Sequence, residues 1–343
     1  MRPFVLFACA LALLAAAATA GAQPAASRSW AAPQIKTVVE AGLLAPSVGE
    51  FRASEPLTRS ELALALYSFG VELYVDDPFR TVSMRELDAQ LVAAAGLKAE
   101  AQTVRHAALY GGLTPHAWFG TETVARLLGL RVNHPKDQEY LELQPAQPAT
   151  RAEAAYSFAR LLELEVAEVE EVRETVYSFA LPWITPLQRT LVARASKLVG
   201  SPYVWAGTSE RPQKLAGKKQ PGGFDCSGLV WRVFKLEPVT GAPGLATALK
   251  GRTTYEMSGE IGRSARVSRD RLQPADIVFF GERGPRSKPS EVGHMGIYVG
   301  NGWMVHSSDR GTTLTPMTGW YATRFAWGRN VLAEVGQRTP ANR

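Results

Sequence analysis

The run Gly222 to Val230, G-G-F-D-C-S-G-L-V, constrains the fold of this chain more than any other stretch. Asp225 is a good helix N-cap, and Leu229, Val230, Val233 and Phe234 follow at helical spacing. An extended segment must therefore turn here into a packed helix that begins at Cys226. The only other cysteine of the 343 residues, Cys9, lies in an apolar run from Val5 to Ala18 that follows Arg2 and ends in small residues at Ala20, Gly21 and Ala22. This reads as a secretory signal peptide over residues 1–22, which leaves the mature chain one unpaired thiol. A secreted protein normally pairs its cysteines, so an unpaired one needs a reason. In a first helical turn the macrodipole and the free N–H groups favour thiolate over thiol, and this marks Cys226 as a nucleophile. Against this stands the ordinary reading of a buried, inert cysteine.

Two histidines shift that balance. The stretch V-G-H-M-G-I-Y-V-G-N-G-W-M-V-H-S-S holds His294 and His306, and predicts two short strands joined by a turn at Gly300, Asn301 and Gly302. Side chains alternate with period two along a strand, so a hairpin can set both imidazoles on one face. One would meet the thiol and the other would orient it, which is the nucleophile, base and orienter arrangement.

Taken together, Gly200 to Gly207 (G-S-P-Y-V-W-A-G), Gly223 to Val230, Leu272 to Phe280 (L-Q-P-A-D-I-V-F-F) and Gly293 to Ser307 resemble the successive signatures of the NlpC-type cell-wall cysteine peptidases. The resemblance covers about 188 to 333. It implies a papain-like α+β cysteine peptidase fold and hydrolysis of stem-peptide bonds in peptidoglycan, typically between D-glutamate and a diamino acid. On that pattern Cys226 is the nucleophile, His294 the general base and His306 the orienting residue. Tyr203 matches a tyrosine near the thiol whose hydroxyl can assist the oxyanion site. Asp225 and Ser227 match positions that hold the free amine of a short stem peptide in some members. The chain also departs from the pattern. Tyr203 and Cys226 are separated by an insert at about 208–222 carrying Arg211, Lys214, Lys218 and Lys219, expected to border the cleft. Ala275 replaces the usual glycine of a P-G-D turn, and Met257 stands where many relatives have glutamine after an R-x-T pattern, here Arg252 to Thr254.

The N-terminal half is repetitive. Thr58 to Ala63 and Thr150 to Ala155 share T-R-x-E-x-A, and Ser83 to Asp88 (S-M-R-E-L-D) is a weaker echo. Threonine or serine followed three residues later by glutamate is a capping box, so each copy predicts a helix start. Trp30 to Gly42 predicts an amphipathic helix ending at glycine. Helix, loop and capped helix with T-R-x-E resemble S-layer homology repeats. An all-α helical repeat domain over residues 28–165 is therefore expected. The resemblance implies binding of secondary cell-wall polysaccharide, with Trp30, Arg59 and Arg151 as the candidate residues. A plain helical spacer is the alternative, and the irregular spacing of the copies argues that at least one groove is lost.

Glu163 to Glu174 is an acidic run with apolar residues interleaved, followed by Pro182 and Pro186. It predicts a helical connector and linker over 166–186, with the peptidase domain at 187–335. Composition agrees with two globular domains, at 46% hydrophobic and 20% charged residues. Charge divides unevenly: residues 200–343 hold 20 Lys and Arg against 11 Asp and Glu, while 30–165 hold 12 against 17. A basic catalytic half suits an anionic wall matrix. Nucleic acid is disfavoured because the positive residues are scattered and a leader removes the chain from that partner. No later apolar run is long enough to span a bilayer. No cofactor is expected, and a metal site is disfavoured because no C-x-x-C accompanies the single Cys and two His. The expected protein is a secreted, wall-associated hydrolase in which helical repeats hold the wall and the C-terminal half cuts it. An amidase or acyl transferase of the same fold, or a non-catalytic anchoring protein, is the alternative.

Overall fold

The computed structural model describes residues 28–337; the expected leader and Cys9 lie outside the described residues. The first half is helical, with α1 (Ala32–Glu40), α2 (Arg59–Tyr67), α3 (Met84–Ala94), α4 (Lys98–Tyr110), α5 (Phe119–Leu127), α6 (Arg151–Glu163), α7 (Val166–Tyr177) and α8 (Pro186–Lys197). The capping signals select three of these starts. Thr58 and Glu61 form a reciprocal capping box on α2, and Thr150 accepts the backbone N–H of Glu153 on α6. Ser83, the weaker echo, precedes α3 without a side-chain cap.

The residues just before these caps meet. Leu57 N–H donates to the Ala149 carbonyl at 2.8 Å, Ala149 N–H to Val82 at 2.8 Å, and Val82 N–H back to Leu57 at 2.9 Å. All three side chains are fully buried. Three segments far apart in sequence thus close a ring of backbone hydrogen bonds in which each satisfies its neighbour, as buried amides require. Around the ring, the arginine of one copy pairs with the glutamate of another: Arg151 with Glu61, and Arg59 with Glu86 at 3.8 Å.

The expected linker is partly helix and is docked. Val172 and Val176 of α7 are buried, and Arg173 pairs with Glu100 of α4 at 2.9 Å. Helix α8 opens with a capping box between Thr185 and Gln188 and with proline in its first turn, a position that lacks a hydrogen-bond partner in any case.

Next come β1 (Thr208–Ser209), β2 (Gln213–Leu215), β3 (Lys218–Gln220), β4 (Gly223–Phe224), α9 (Cys226–Trp231), α10 (Leu245–Ala248), α11 (Thr254–Gly259), β5 (Ile277–Gly281), β6 (Val292–Gly300), β7 (Trp303–Ser308), β8 (Gly311–Pro316), α12 (Gly319–Arg324), β9 (Phe325–Arg329) and α13 (Val331–Glu334). The main sheet is antiparallel throughout, in the order β8-β7-β6-β5-β9. Leu229, Val230, Val233 and Phe234 share one buried core with Met295, Ile297 and Val305. Each such side chain contributes about 1.5–3 kcal/mol on burial, so this packing fixes the height of Cys226 over the sheet. Ala275 occupies the left-handed region at φ 72, consistent with the glycine expected at that turn.

The two halves join closely. One arm of the Arg126 guanidinium pairs with Glu122 on α5 while the other donates to the Gly200 carbonyl at 2.8 Å, and both partners of the ion pair are buried. Gly200 and Gly311 lie in this seam at positive φ, and a Cβ on Gly311 would come within 2.7 Å of the Ser201 carbonyl.

Candidate active site

Asp225 caps α9 by accepting the backbone N–H of Gly228, and Cys226 is the first residue of the helix, partly exposed. Its Sγ lies 3.4 Å from Thr254 Oγ1 on α11, and the backbone N–H groups of Met295 and Ser227 also reach it. The thiol is therefore held beside the residue that follows His294.

His294 and His306 lie on one face of the β6–β7 hairpin, as the alternation predicts. Gly296 pairs directly with His306, and a Cβ on Gly296 would meet the His306 Cβ at 3.0 Å. Glycine here leaves room for His294 Nε2 to lie 3.0 Å from His306 Nδ1. Two hydrogen-bonding nitrogens are thereby committed to each other, and His294 Nδ1 is the one left for the thiol. His306 Nε2 lies 3.4 Å from the Tyr321 hydroxyl. If His294 is to accept a proton on Nδ1, its Nε2–H donates to His306 Nδ1, and His306 Nε2–H then donates to Tyr321.

The electrostatics correct one expectation. Burial, then the negative charge of Asp225, pushes the Cys226 thiol up to about 11, although the helix terminus and the Thr254 hydroxyl pull the other way. Burial lowers His294 to about 4, among the rings of Phe280, Trp320 and Tyr321. His306 is 1% exposed and is lowered well below the usual histidine range by burial, with the nearby His294 and Arg310 charges adding to it. The resting pair is thus a neutral thiol and a neutral imidazole, because desolvation of both charged forms outweighs the helix dipole. That state suits general-base activation of the thiol as it attacks.

The backbone of Tyr203 bridges to Phe224, two residues before Cys226, and burial above all, with the negative charge of Asp225 adding to it, raises its hydroxyl, which stays protonated as a donor. Asp225 and Ser227 are more committed than the amine-binding expectation assumed. Asp225 also accepts from Ala206 N–H at 2.9 Å and from the Ser227 hydroxyl at 3.0 Å, and Arg252 reaches both residues, at 3.3 Å and 2.7 Å. The guanidinium neutralises the carboxylate that would have met an amine. The insert is a β-hairpin, β2 to β3, turning at Ala216 and Gly217 with positive φ at both, and its lysines point to solvent. Gln213 ties its base to Gly223 by donating to that carbonyl at 3.1 Å.

The polymer-binding candidates separate. Arg151 is 1% exposed, pairs with Glu61 and donates to the Leu44 carbonyl, so it is withdrawn from any surface groove. The expectation for Arg151 is corrected on that ground. Arg59 pairs with Asp76 at 3.2 Å. Trp30 packs edge-on against His134 and lines a groove of about 540 Å³ with Tyr140, Thr150 and Glu153. Sequence reasoning missed Tyr321 and the contribution of α5 to the site, for which no local motif exists; Thr254 and Arg252 lay in the R-x-T pattern without an assigned role.

Residues 200–330 match the NlpC/P60 family. Among known proteins, the chain is 30% identical over 141 residues to "Probable endopeptidase p60" of Listeria grayi, covering 40% of this chain and 22% of that one. It is also 30% identical over 152 residues to "Gamma-D-glutamyl-L-lysine dipeptidyl-peptidase" of Bacillus cereus, covering 43% of this chain and 38% of that one. The chain thus spans well under half the length of either relative. A solved NlpC/P60 family protein from Bacillus cereus is 25% identical, with 45% of this chain and 43% of that chain covered and a TM-score of 0.32. The C-terminal half is an NlpC/P60 domain of papain-like α+β type, preceded by a helical region.

Proposed function

We propose that this protein is a secreted, wall-associated peptidoglycan endopeptidase that cuts stem-peptide bonds of the D-glutamyl to diamino acid type, with Cys226 as nucleophile, His294 as general base and His306 as orienter. The observation that carries the reading is the 3.0 Å contact between His294 Nε2 and His306 Nδ1 beside a thiol at a helix start. In the reaction the Cys226 sulphur attacks the scissile carbonyl as His294 Nδ1 takes its proton. Tyr203 and the Cys226 backbone N–H face the developing oxyanion. Collapse expels the amine, which takes the proton back from His294, and water then releases the thioester by the same base. Arg252, bound to Asp225, holds the loop before α9 in place.

The N-terminal region, on the same reading, is an S-layer homology-like module for secondary cell-wall polysaccharide. What supports this is the closed ring of the three capped segments and the groove beside Trp30. Purified muropeptides incubated with the full chain and analysed by mass spectrometry test the hydrolase; unchanged muropeptide masses would end it. Sedimentation of Cys226→Ala with intact walls, compared with the same chain carrying Trp30→Ala as well, tests the module.

A further inference from the structure

The segment that carries Tyr203 is held along both of its edges. Backbone groups of an extended chain point alternately to opposite sides, and here the two sides meet different halves of the molecule. Toward the thiol, Val204 N–H donates to the Phe224 carbonyl at 3.2 Å and Phe224 N–H to the Pro202 carbonyl at 3.1 Å. Tyr203 and Trp205 turn their N–H groups the other way, to the loop between α5 and α6. The Asn133 amide, with its oxygen toward the two donors, accepts from Tyr203 N–H at 2.8 Å and from Gly311 N–H at 3.3 Å. The Glu139 carboxylate, 3% exposed, accepts from Trp205 N–H.

The same loop makes two further contacts. Lys136 Nζ sits 4.4 Å from the centre of the Trp205 ring, and Gln144 donates to the Gly222 carbonyl, ahead of Cys226, at 2.6 Å. Gly311, the second donor to Asn133, opens β8 just after the strand that bears His306. Beside it, Arg310 Nη1 donates to the Arg126 carbonyl of α5 at 3.1 Å. One loop of the helical half thus grips the tyrosine, thiol and histidine segments together. Asn133 and Glu139 nevertheless lie outside the cavity of about 510 Å³ that opens beside His294 and His306 and is closed by the end of α5. Their partners are main-chain amides at Tyr203 and Trp205, so they fix the direction in which the Tyr203 side chain leaves the backbone. A donor to an oxyanion works only when it already stands where the charge develops, and a displacement of about 1 Å can cost about a hundredfold in rate.

We infer that Asn133 and Glu139 are positioning residues for the Tyr203 hydroxyl: the helical half supplies the second edge of the Tyr203 segment, and the oxyanion site is complete only with that edge in place. The inference rests on the assignment of Tyr203 to the oxyanion site. It gives the helical half a share in turnover of small soluble substrates, which a tether to the wall cannot provide because tethering raises local concentration only on the polymer.

Steady-state kinetics of the full chain on soluble muropeptides, with a double-mutant cycle through Tyr203→Phe, test this. Asn133→Ala and Glu139→Ala should each lower kcat per folded molecule by about tenfold with KM unchanged, the pattern of an interaction felt only in the transition state. Asn133→Asp and Glu139→Gln, which keep an acceptor oxygen, should retain most of the activity. Glu139→Met keeps the bulk without the acceptor and takes the place of Glu139→Ala if that variant does not fold. Tyr203→Phe should lower kcat at least as far, and adding Asn133→Ala or Glu139→Ala to it should lower kcat no further, because the group being positioned is gone. Losses that multiply in full in the double variants, alanine variants with wild-type kcat, or a raised KM with kcat kept overturn the inference and leave the oxyanion role of Tyr203 standing. Wild-type kcat in Tyr203→Phe removes that role, and no turnover by the unaltered chain removes the endopeptidase reading; the inference falls with either.

Discussion

Two clusters of buried polar groups, one in each half of the molecule, are held in opposite ways. In the helical half several buried polar groups are paired with one another: Arg131 with Asp88 at 3.1 Å, His134 with Glu153 at 2.9 Å, Arg151 with Glu61. In the sheet half, among the described residues, the side chains of His294 and His306 hydrogen-bond only each other and a tyrosine, with no carboxylate in hydrogen-bond reach. Pairing ties the first set together as struts between helices and loops. Withholding a carboxylate keeps the second set neutral, so one imidazole can still accept a proton. The T-R-x-E glutamates and the two hairpin histidines look equally polar in sequence, and it is the partner that separates a strut from a group free to accept a proton.

Breaking the unpaired half should cost turnover, and breaking the paired half should cost stability. The largest effect expected is on Cys226→Ala, where kcat on muropeptides should fall by about ten-thousand-fold or more with thermal unfolding unchanged. His294→Ala should match it. His306→Asn, which can still accept the His294 Nε2–H, should retain more activity than His306→Ala, with the two separated by about tenfold in kcat; equal rates for the two would remove the orienting role. In the helical half, Arg151→Ala removes the buried ion partner of Glu61, which keeps Arg52 and Thr58, and leaves the Leu44 carbonyl without its side-chain donor; it should cost about 2 kcal/mol in denaturant unfolding, while kcat per folded molecule on soluble muropeptides is kept.

The smallest effect is in pH. His294 and His306 have folded pKa values below the ordinary 6.5, with His294 near 4. Between about pH 4 and 6.5 the unfolded chain therefore binds more protons than the folded one. Stability from these two residues should rise with pH across that window and be lost as pH falls through it. A melting series from pH 4 to 7 on wild type and His294→Ala reads it out: the wild-type curve should lose more on acidification. Activity should hold down to about pH 5, since the base is still neutral there.

The sequence carried the local elements well. The Thr58 and Thr150 caps, the Asp225 cap with Cys226 at the helix start, and the histidine hairpin were legible because each depends on residues close in the chain. What it did not carry depends on who meets whom across long separations. Arg252 cancelling Asp225, Tyr321 reaching His306, and α5 closing the cavity are contacts that no local pattern encodes. The thiol's protonation state was misread for a related reason. The helix start is visible in sequence and the desolvation that outweighs it is not. The division of labour into a holding half and a cutting half is likewise softened by the Arg126 and Arg310 contacts that join them.

The ring through Leu57, Val82 and Ala149 has a consequence for how the chain comes off the ribosome. Its first two members are synthesised early, but the loop between Val82 and Ala149 must be closed before any of the three amides is fully satisfied. Closing so long a loop carries an entropic cost that must be met before the contacts it brings together can repay it. Helices α1 to α5 should consequently remain an open, protease-sensitive collection until residue 150 and the start of α6 have emerged. A chain stopped anywhere short of that point has no native state to settle into, however many of its helices are present.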